Sequence, residues 1–380
     1  MKSTLSRLLA LALFCAPSLP LLAQGQSGDL HGPPEDVFAK PPLRIRPFIS
    51  ASPSGYTVTQ IRHAYGFDQI AGDGTGQTIA IVDAFGSPTV QADLDTFCAT
   101  YGIPSTSVKI YYAQSKTGRK DNGWALETSL DVQWAHAIAP GATIALVIAK
   151  SNSVSDLLGA VDFASKLGAK QISMSWGAGE FSTESKYDTY FNKSGLTFFA
   201  SSGDDGAGVI WPAASPYVVA VGGTTLVLDG AGNIGSETAW AGSGGGVSKY
   251  LSRPVFQAGW QNATKRGVPD VSYNADPATG FPVYISNYNG ASGWITVGGT
   301  SAGAPQWAGA MALINATRAS SVTNANTLLY ALAAADYAGN YRDITAGNNG
   351  GYNATASYDF VTGLGSPVGN NLVPALSIAP

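Results

Sequence analysis

Histidine is nearly missing from this chain. Three occur in 380 residues, His31, His63 and His136, and none lies beyond residue 136. The shortage matters because residues 298–309 read GGTSAGAPQWAG, a serine among small residues just ahead of an apolar helical pattern. Serine hydrolases present a nucleophile in this way. Residues 299–303, GTSAG, match the G-x-S-x-G elbow of α/β-hydrolases, but that arrangement needs its histidine downstream of the serine. With none there, the elbow reading is excluded.

Cysteine is equally scarce. Cys15 falls in a leader expected to be removed, which leaves Cys98 alone and excludes an intrachain disulfide in the processed chain. A lone cysteine in this setting reads as a small core hydrophobe. Charged residues are 12% of the total, about half the ~25% usual in globular domains. A formal net charge of −4 offers no basic surface for nucleic acid. Few titratable groups also mean little self-repulsion on acidification, so tolerance of acid is expected. The opening stretch MKSTLSRLLALALFCAPSLPLLAQG carries Lys2 and Arg7, then an apolar run broken by Pro17 and Pro20. That run is too short for a bilayer and reads as a secretory signal peptide over residues 1–23. The product is expected to be secreted, extracellular or periplasmic, with no membrane span.

Residues 24–55, rich in Pro, Gly and Ser and without periodicity, read as an N-terminal arm or linker. Composition is even over 56–380 and shows no internal repeat, which predicts one large domain. Within it TIAIVDAF (78–85), TIALVIA (143–149), QISMSW (171–176), LTFFASSG (196–203) and YVVAVGGTT (217–225) are short apolar runs suited to buried parallel strands. Between them VQADLDTFCATYG, WALETSLDVQWAHAIA and SVSDLLGAVDFASKLGA carry helical patterns. The alternation predicts an α/β fold, a mostly parallel central sheet with helices on both faces and a site beyond the carboxyl ends of the strands. The Gly-, Ser- and Tyr-dense segment 226–297 reads as loops and hairpins.

Ser301 needs a group to take its proton. The order His–Asp–Ser can be written with His63, Asp83 and Ser301, but it belongs to an all-β double barrel that this pattern lacks. The order Asp–His–Ser of subtilisins would use Asp83, His136 and Ser301. Asp83 does end a strand, yet His136 stands at the end of a helix in WAHAIAPGA, without a His-Gly-Thr-His setting, and reads as a capping or packing residue. Glu127 and Asp131, four residues apart in WALETSLDVQWA, fall ~40° apart on one helical face. Leu126, Leu130 and Trp134 form a separate apolar stripe. Glu127 is placed to hydrogen-bond Ser301, and Asp131 to orient Glu127; the same spacing also describes a solvated helix face. Residues 201–206, SSGDDG, follow a strand in a glycine turn. A protonated Asp204 or Asp205 there would donate a hydrogen bond to an oxyanion in acid, with an Asx turn as the plain alternative.

In order along the chain stand E-x-x-x-D at Glu127 and Asp131, SSGDDG, SGGGVS (243–248), VPDVS with ADPATG (268–280), GGTSAGAPQWAG, RDITAGNNGGYNA and YDFVTGLGSP. Together they resemble the sedolisins, serine-carboxyl peptidases of subtilisin-like fold, from about residue 56 to the C-terminus. The resemblance implies a secreted, monomeric endopeptidase acting on protein or peptide substrates, with residues 56–380 as the peptidase domain. It implies Ser301 as nucleophile, Glu127 as general base, Asp131 as its support, Asp204 as the oxyanion contact, and Asp83 as a strand-end residue only. SMSWGAG (173–179) resembles the segment that lines the substrate pocket in such enzymes. One structural calcium ion is implied, held by the side chains of Asp343 and Asp359 and the carbonyls of Ile344, Thr355 and Ser357. The family usually has Gly-x-Gly-x-Asp where this chain has Thr355, Ser357 and Asp359. Carboxyl groups titrate near ~4, so an ionised base and a neutral oxyanion acid predict activity at roughly pH 3–5. Sedolisins usually carry a long propeptide, whereas a short arm stands here. Unaided folding, a propeptide-like partner acting in trans, and a non-enzymatic binding role on a peptidase fold all stay open. The filled catalytic positions favour an enzyme.

Overall fold

The computed structural model describes residues 37–379 except 47, 117 and 118, within one compact unit spanning 33–380. The signal peptide and the first part of the arm lie outside the described residues. The apolar runs become strands β1 (Thr78–Ala84), β3 (Thr143–Ala149), β4 (Gln171–Met174), β5 (Thr197–Ser201) and β6 (Val218–Leu228). A further edge strand, β2 (Lys109–Tyr112), was not expected from the sequence. Its KIYY pattern is mostly exposed and carries no apolar run. With β7 (Ile234–Ala239) the order across the sheet is β7-β6-β5-β4-β1-β3-β2. All neighbours are parallel except β7, which returns antiparallel to β6.

The segment expected to hold loops and hairpins contains the β6–β7 hairpin and a second one, β9 (Phe281–Tyr288) with β10 (Ala291–Gly298). It also contributes β8 (Val271–Asn274), which joins the central sheet parallel to β6. Side chains alternate across the sheet as period two requires. Ile79 and Ile81 enter one hydrophobic core, and Ala80 and Val82 the other. The first core is covered by α1 (Val90–Tyr101), α2 (Asn122–Ile138) and α4 (Gly303–Asn315), the second by α3 (Val154–Ala164). The mainly parallel sheet with helices on both faces is the expected α/β architecture.

Helix α2 sets the site. Asp121 caps its N-terminus by accepting from the Trp124 N–H at 3.1 Å, and every residue from Trp124 to Ile138 is buried. Trp134 anchors it, with ring centroids 4.7 Å from Phe281 and 5.8 Å from Phe97, and its indole N–H donates to the Pro282 carbonyl at 3.1 Å. Burying such a ring contributes about 1.5–3 kcal/mol. Helices α2 and α4 meet closely because residue 309 is glycine. A Cβ there would stand 2.9 Å from Ile138 Cβ and 3.1 Å from the Ala135 carbonyl. Among the described residues no helix is long and apolar enough to cross a membrane.

Candidate active site

Strand β10 ends at Gly298, and a single 3-10 turn, Thr300–Ala302, carries Ser301 to the mouth of α4. Pro305 therefore sits in the first turn of the helix, where its missing N–H costs nothing. Gly299 makes the approach possible. It takes φ +104°, and a Cβ would lie 2.3 Å from the Pro42 carbonyl and 2.5 Å from Asp204 Oδ2. Ser301, Glu127 and Asp131 are all fully buried. Ser301 and Asp131 both neighbour Glu127 and bear on its titration. The resting contacts are nonetheless loose. Among the described residues neither Glu127 oxygen nor Ser301 Oγ has a partner within hydrogen-bonding geometry. Such looseness is common before substrate tightens a site. Ser175 Oγ stands 2.9 Å from Asp131 Oδ1 and 3.3 Å from the Ser301 carbonyl, so one hydroxyl links the support to the nucleophile's turn.

The spacing of Glu127 and Asp131 is thus that of a buried pair, not of a solvated face. Burial raises both carboxyls well above their ordinary values, and the nearby Asp83 raises them further. Asp83 is more than the strand-end residue implied by the resemblance. It is fully buried on β1, and burial pushes it to about 7. Among the described residues neither of its oxygens is hydrogen-bonded. A charge on Asp83 therefore disfavours charge on Glu127 and Asp131. The signal was present in the sequence, a polar residue closing the apolar run IAIVDA, but nothing in that run shows which side chains it faces.

The rival histidine triad is not assembled. His136 is buried with Nε2 2.6 Å from the Pro104 carbonyl, and burial lowers its pKa. His63 pairs instead with Asp68 at 2.7 Å.

The SSGDDG turn separates its two aspartates. Asp204 points inward, with Oδ1 accepting from the Thr300 N–H at 2.8 Å and the Thr300 hydroxyl at 3.0 Å. Burial raises it to about 6, against the lowering effect of those bonds and of Arg44. Its Oδ2 has no hydrogen-bond partner among the described residues. Asp205 points out, its side chain 98% exposed.

Residues 37–45 of the arm cross this site. Lys40 and Gly177 exchange both backbone hydrogen bonds, at 2.9 and 3.1 Å. The Pro42 carbonyl accepts from the Ser301 N–H at 3.3 Å. Arg44 and Ile45 then pair antiparallel with β10. The arm is read from its composition as a linker, yet it forms one wall of a cleft of about 440 Å³ whose other lining includes Gly177, Ala178, Asp204 and Ile210.

Near the C-terminus, Asp343 and Asp359 flank the loop 355–359. The Ser357 N–H donates to both Asp343 oxygens at 3.1 Å, and the Thr355 N–H to Asp359 at 3.3 Å. Ser357 holds φ +68°, the left-handed backbone its glycine-favouring position demands. Among the described residues no three His, Cys, Asp or Glu side chains converge on one point. An ion here would rest on two carboxylates and the carbonyls of Ile344, Thr355 and Ser357. That oxygen-only donor set fits a hard cation such as calcium.

A serine at a helix mouth, facing a buried carboxylate pair on a doubly covered parallel sheet, defines a subtilisin-like hydrolase scaffold. The sequence profile of the Subtilase family matches residues 113–355. Kumamolisin from Bacillus sp. (strain MN-32) is 36% identical over 369 residues, covering 86% of this chain and 64% of its own length. Sedolisin from Pseudomonas sp. (strain 101) is 30% identical over 333 residues, covering 76% of this chain and 56% of its own. The solved structure of Pseudomonas sedolisin, a serine-carboxyl proteinase complexed with two molecules of pseudo-iodotyrostatin, superposes with a TM-score of 0.77 at 28% identity. It covers 85% of this chain and 98% of that one. The chain belongs to the Subtilase family and is a sedolisin. It spans about 56–64% of the length of these two curated relatives.

Proposed function

We propose that the protein is an acid-acting serine-carboxyl endopeptidase, and the observation that carries this reading is a buried serine–glutamate–aspartate group with no histidine beside it among the described residues. Glu127 takes the Ser301 proton as Oγ attacks the substrate carbonyl. The developing oxyanion receives hydrogen bonds from the Ser301 N–H, at the positive end of α4, and from protonated Asp204. Glu127 then passes its proton to the leaving amine, which departs and leaves an acyl group on Ser301. Water, deprotonated by the same carboxylate, releases the acid product. Asp131 keeps Glu127 turned toward Ser301 and shares its charge. Digestion of a denatured protein between pH 2 and 9 tests the reading: cleavage is expected in acid and equally with His136→Ala. Cleavage that vanishes with His136→Ala, or that peaks at pH 8, would overturn it.

The same proposal includes export, protein or peptide substrates, a monomeric enzyme, and one structural calcium ion held at Asp343, Ile344, Thr355, Ser357 and Asp359. A propeptide-like partner supplied in trans is compatible with it. For calcium, chelation is expected to lower the thermal midpoint by several degrees, as loss of a ligand selective for the folded state should. Added calcium should restore it, and Asp343→Asn should remove the response. A midpoint indifferent to chelator argues against the ion.

A further inference from the structure

The arm marks how a peptide lies in the cleft. Its Lys40 pairs with Gly177, and its Pro42 carbonyl takes the Ser301 N–H, the donor an oxyanion would need. In a substrate laid the same way, the carbonyl in Pro42's place is the one attacked. The residue in Leu43's place then carries the leaving nitrogen, and the residue in Arg44's place is the second beyond the broken bond. Three oxygen groups receive Arg44. Its Nη2 lies 2.6 Å from Asp205 Oδ1 and donates to the Asp204 carbonyl at 2.8 Å, while Nε stands 3.9 Å from Asp204 Oδ2. Asp204 is committed to Thr300 and to the oxyanion position. Asp205 stands exposed at the rim of the cleft and has no role in the steps above.

We propose that Asp205 is a specificity-determining residue that selects an Arg or Lys side chain at the second position beyond the scissile bond. The inference rests on the peptidase reading, whose register it extends to the leaving-group side. An arginine in this seat donates to a carboxylate and a carbonyl at once through Nη2, while its Nε adds positive charge 3.9 Å from Asp204, which a lysine ammonium does not supply together. The pair is open to solvent, so the preference is modest, and the order Arg, Lys, Ala, Glu follows from charge and fork geometry.

The test uses peptides identical except for Arg, Lys, Ala or Glu at that position, with the cut site read by mass spectrometry at pH 5. For the full-length enzyme the Arg peptide is expected to exceed the Ala peptide in kcat/KM by roughly fivefold, the scale of an exposed ion pair. The difference should lie in KM, not kcat. Asp205→Asn should bring the Arg-to-Ala ratio to about one, and Asp205→Lys should favour the Glu peptide. An Arg preference that survives in Asp205→Asn, or its absence in the wild type, overturns the assignment. If no peptide is cut at any pH, the peptidase reading fails, and the seat is read separately. The same peptides, fluorescently labelled, are then titrated against Ser301→Ala and Ser301→Ala/Asp205→Asn. A ranking by charge in the first that disappears in the second upholds the seat; no ranking in either removes it.

Discussion

Ser301→Ala will remove peptide cleavage at every pH, by about 10⁴-fold or more in kcat, while leaving the fold intact. Losing the nucleophile of a cooperating group leaves only what the oxyanion site and substrate binding supply. Glu127→Gln is expected to fall nearly as far, by about 10³–10⁴-fold, because the amide keeps the shape of the side chain but accepts no proton. The two losses should not add. In Ser301→Ala there is no hydroxyl for Glu127 to serve, so the double variant should match the single. Circular dichroism and thermal melting check the fold alongside the kinetics. Among the described residues the side chains of Ser301 and Glu127 make no hydrogen bond on which the fold depends, so a large loss of stability would contradict the assignment. Asp131→Asn should cost less in kcat, since Asp131 acts through Glu127.

The second large effect is on pH. Asp204 is held up to about 6 by burial, so it is a neutral donor below that value and a repelling charge above it. With that value about one molecule in a hundred carries the proton at pH 8, so activity should fall roughly tenfold per unit above pH 6. The lower limb belongs to Glu127, which must lose its proton to act as base. Burial and the nearby Asp83 raise Glu127 and Asp131, and burial raises Asp83 to about 7. Activity is therefore expected to rise as Glu127 ionises and to fall as Asp204 does. Asp204→Asn separates the limbs. An amide donates at any pH, so this variant should keep the acid limb and carry activity toward neutrality. Asp204→Ala should lose about 10²–10³-fold throughout. An unchanged alkaline limb in Asp204→Asn would show that another group sets it.

Much of this was legible before any coordinates. Apolar runs such as TIALVIA read as buried strands because both faces of a parallel sheet are covered. The pattern around Leu126, Leu130 and Trp134 read as a helix because its period is 3.6. The edge strand Lys109–Tyr112 escaped because an exposed edge needs no apolar pattern. Glu127 and Asp131 shared a face by arithmetic, but spacing says nothing of depth; they are buried because other elements, among them the strand of Asp83 and the segment of Ser175, pack over that face. The choice between Asp204 and Asp205 depended on which way a glycine turn throws each side chain. What Asp83 faces was hidden for a related reason, since its neighbours arrive from a helix more than forty residues later. Residues 37–45 were the least legible. They are held mainly through backbone N–H and C=O groups, which every sequence has, so no side-chain pattern announces them.

Being part of the same chain gives residues 37–45 an advantage over any visiting peptide. A tethered segment faces its site at an effective concentration in the millimolar range, whatever the concentration of protein. While the Pro42–Leu43 bond is intact, a substrate must therefore displace a local competitor whose supply never dilutes. Measured KM values will report that exchange as well as the intrinsic fit, and dilution of the enzyme will not relieve it.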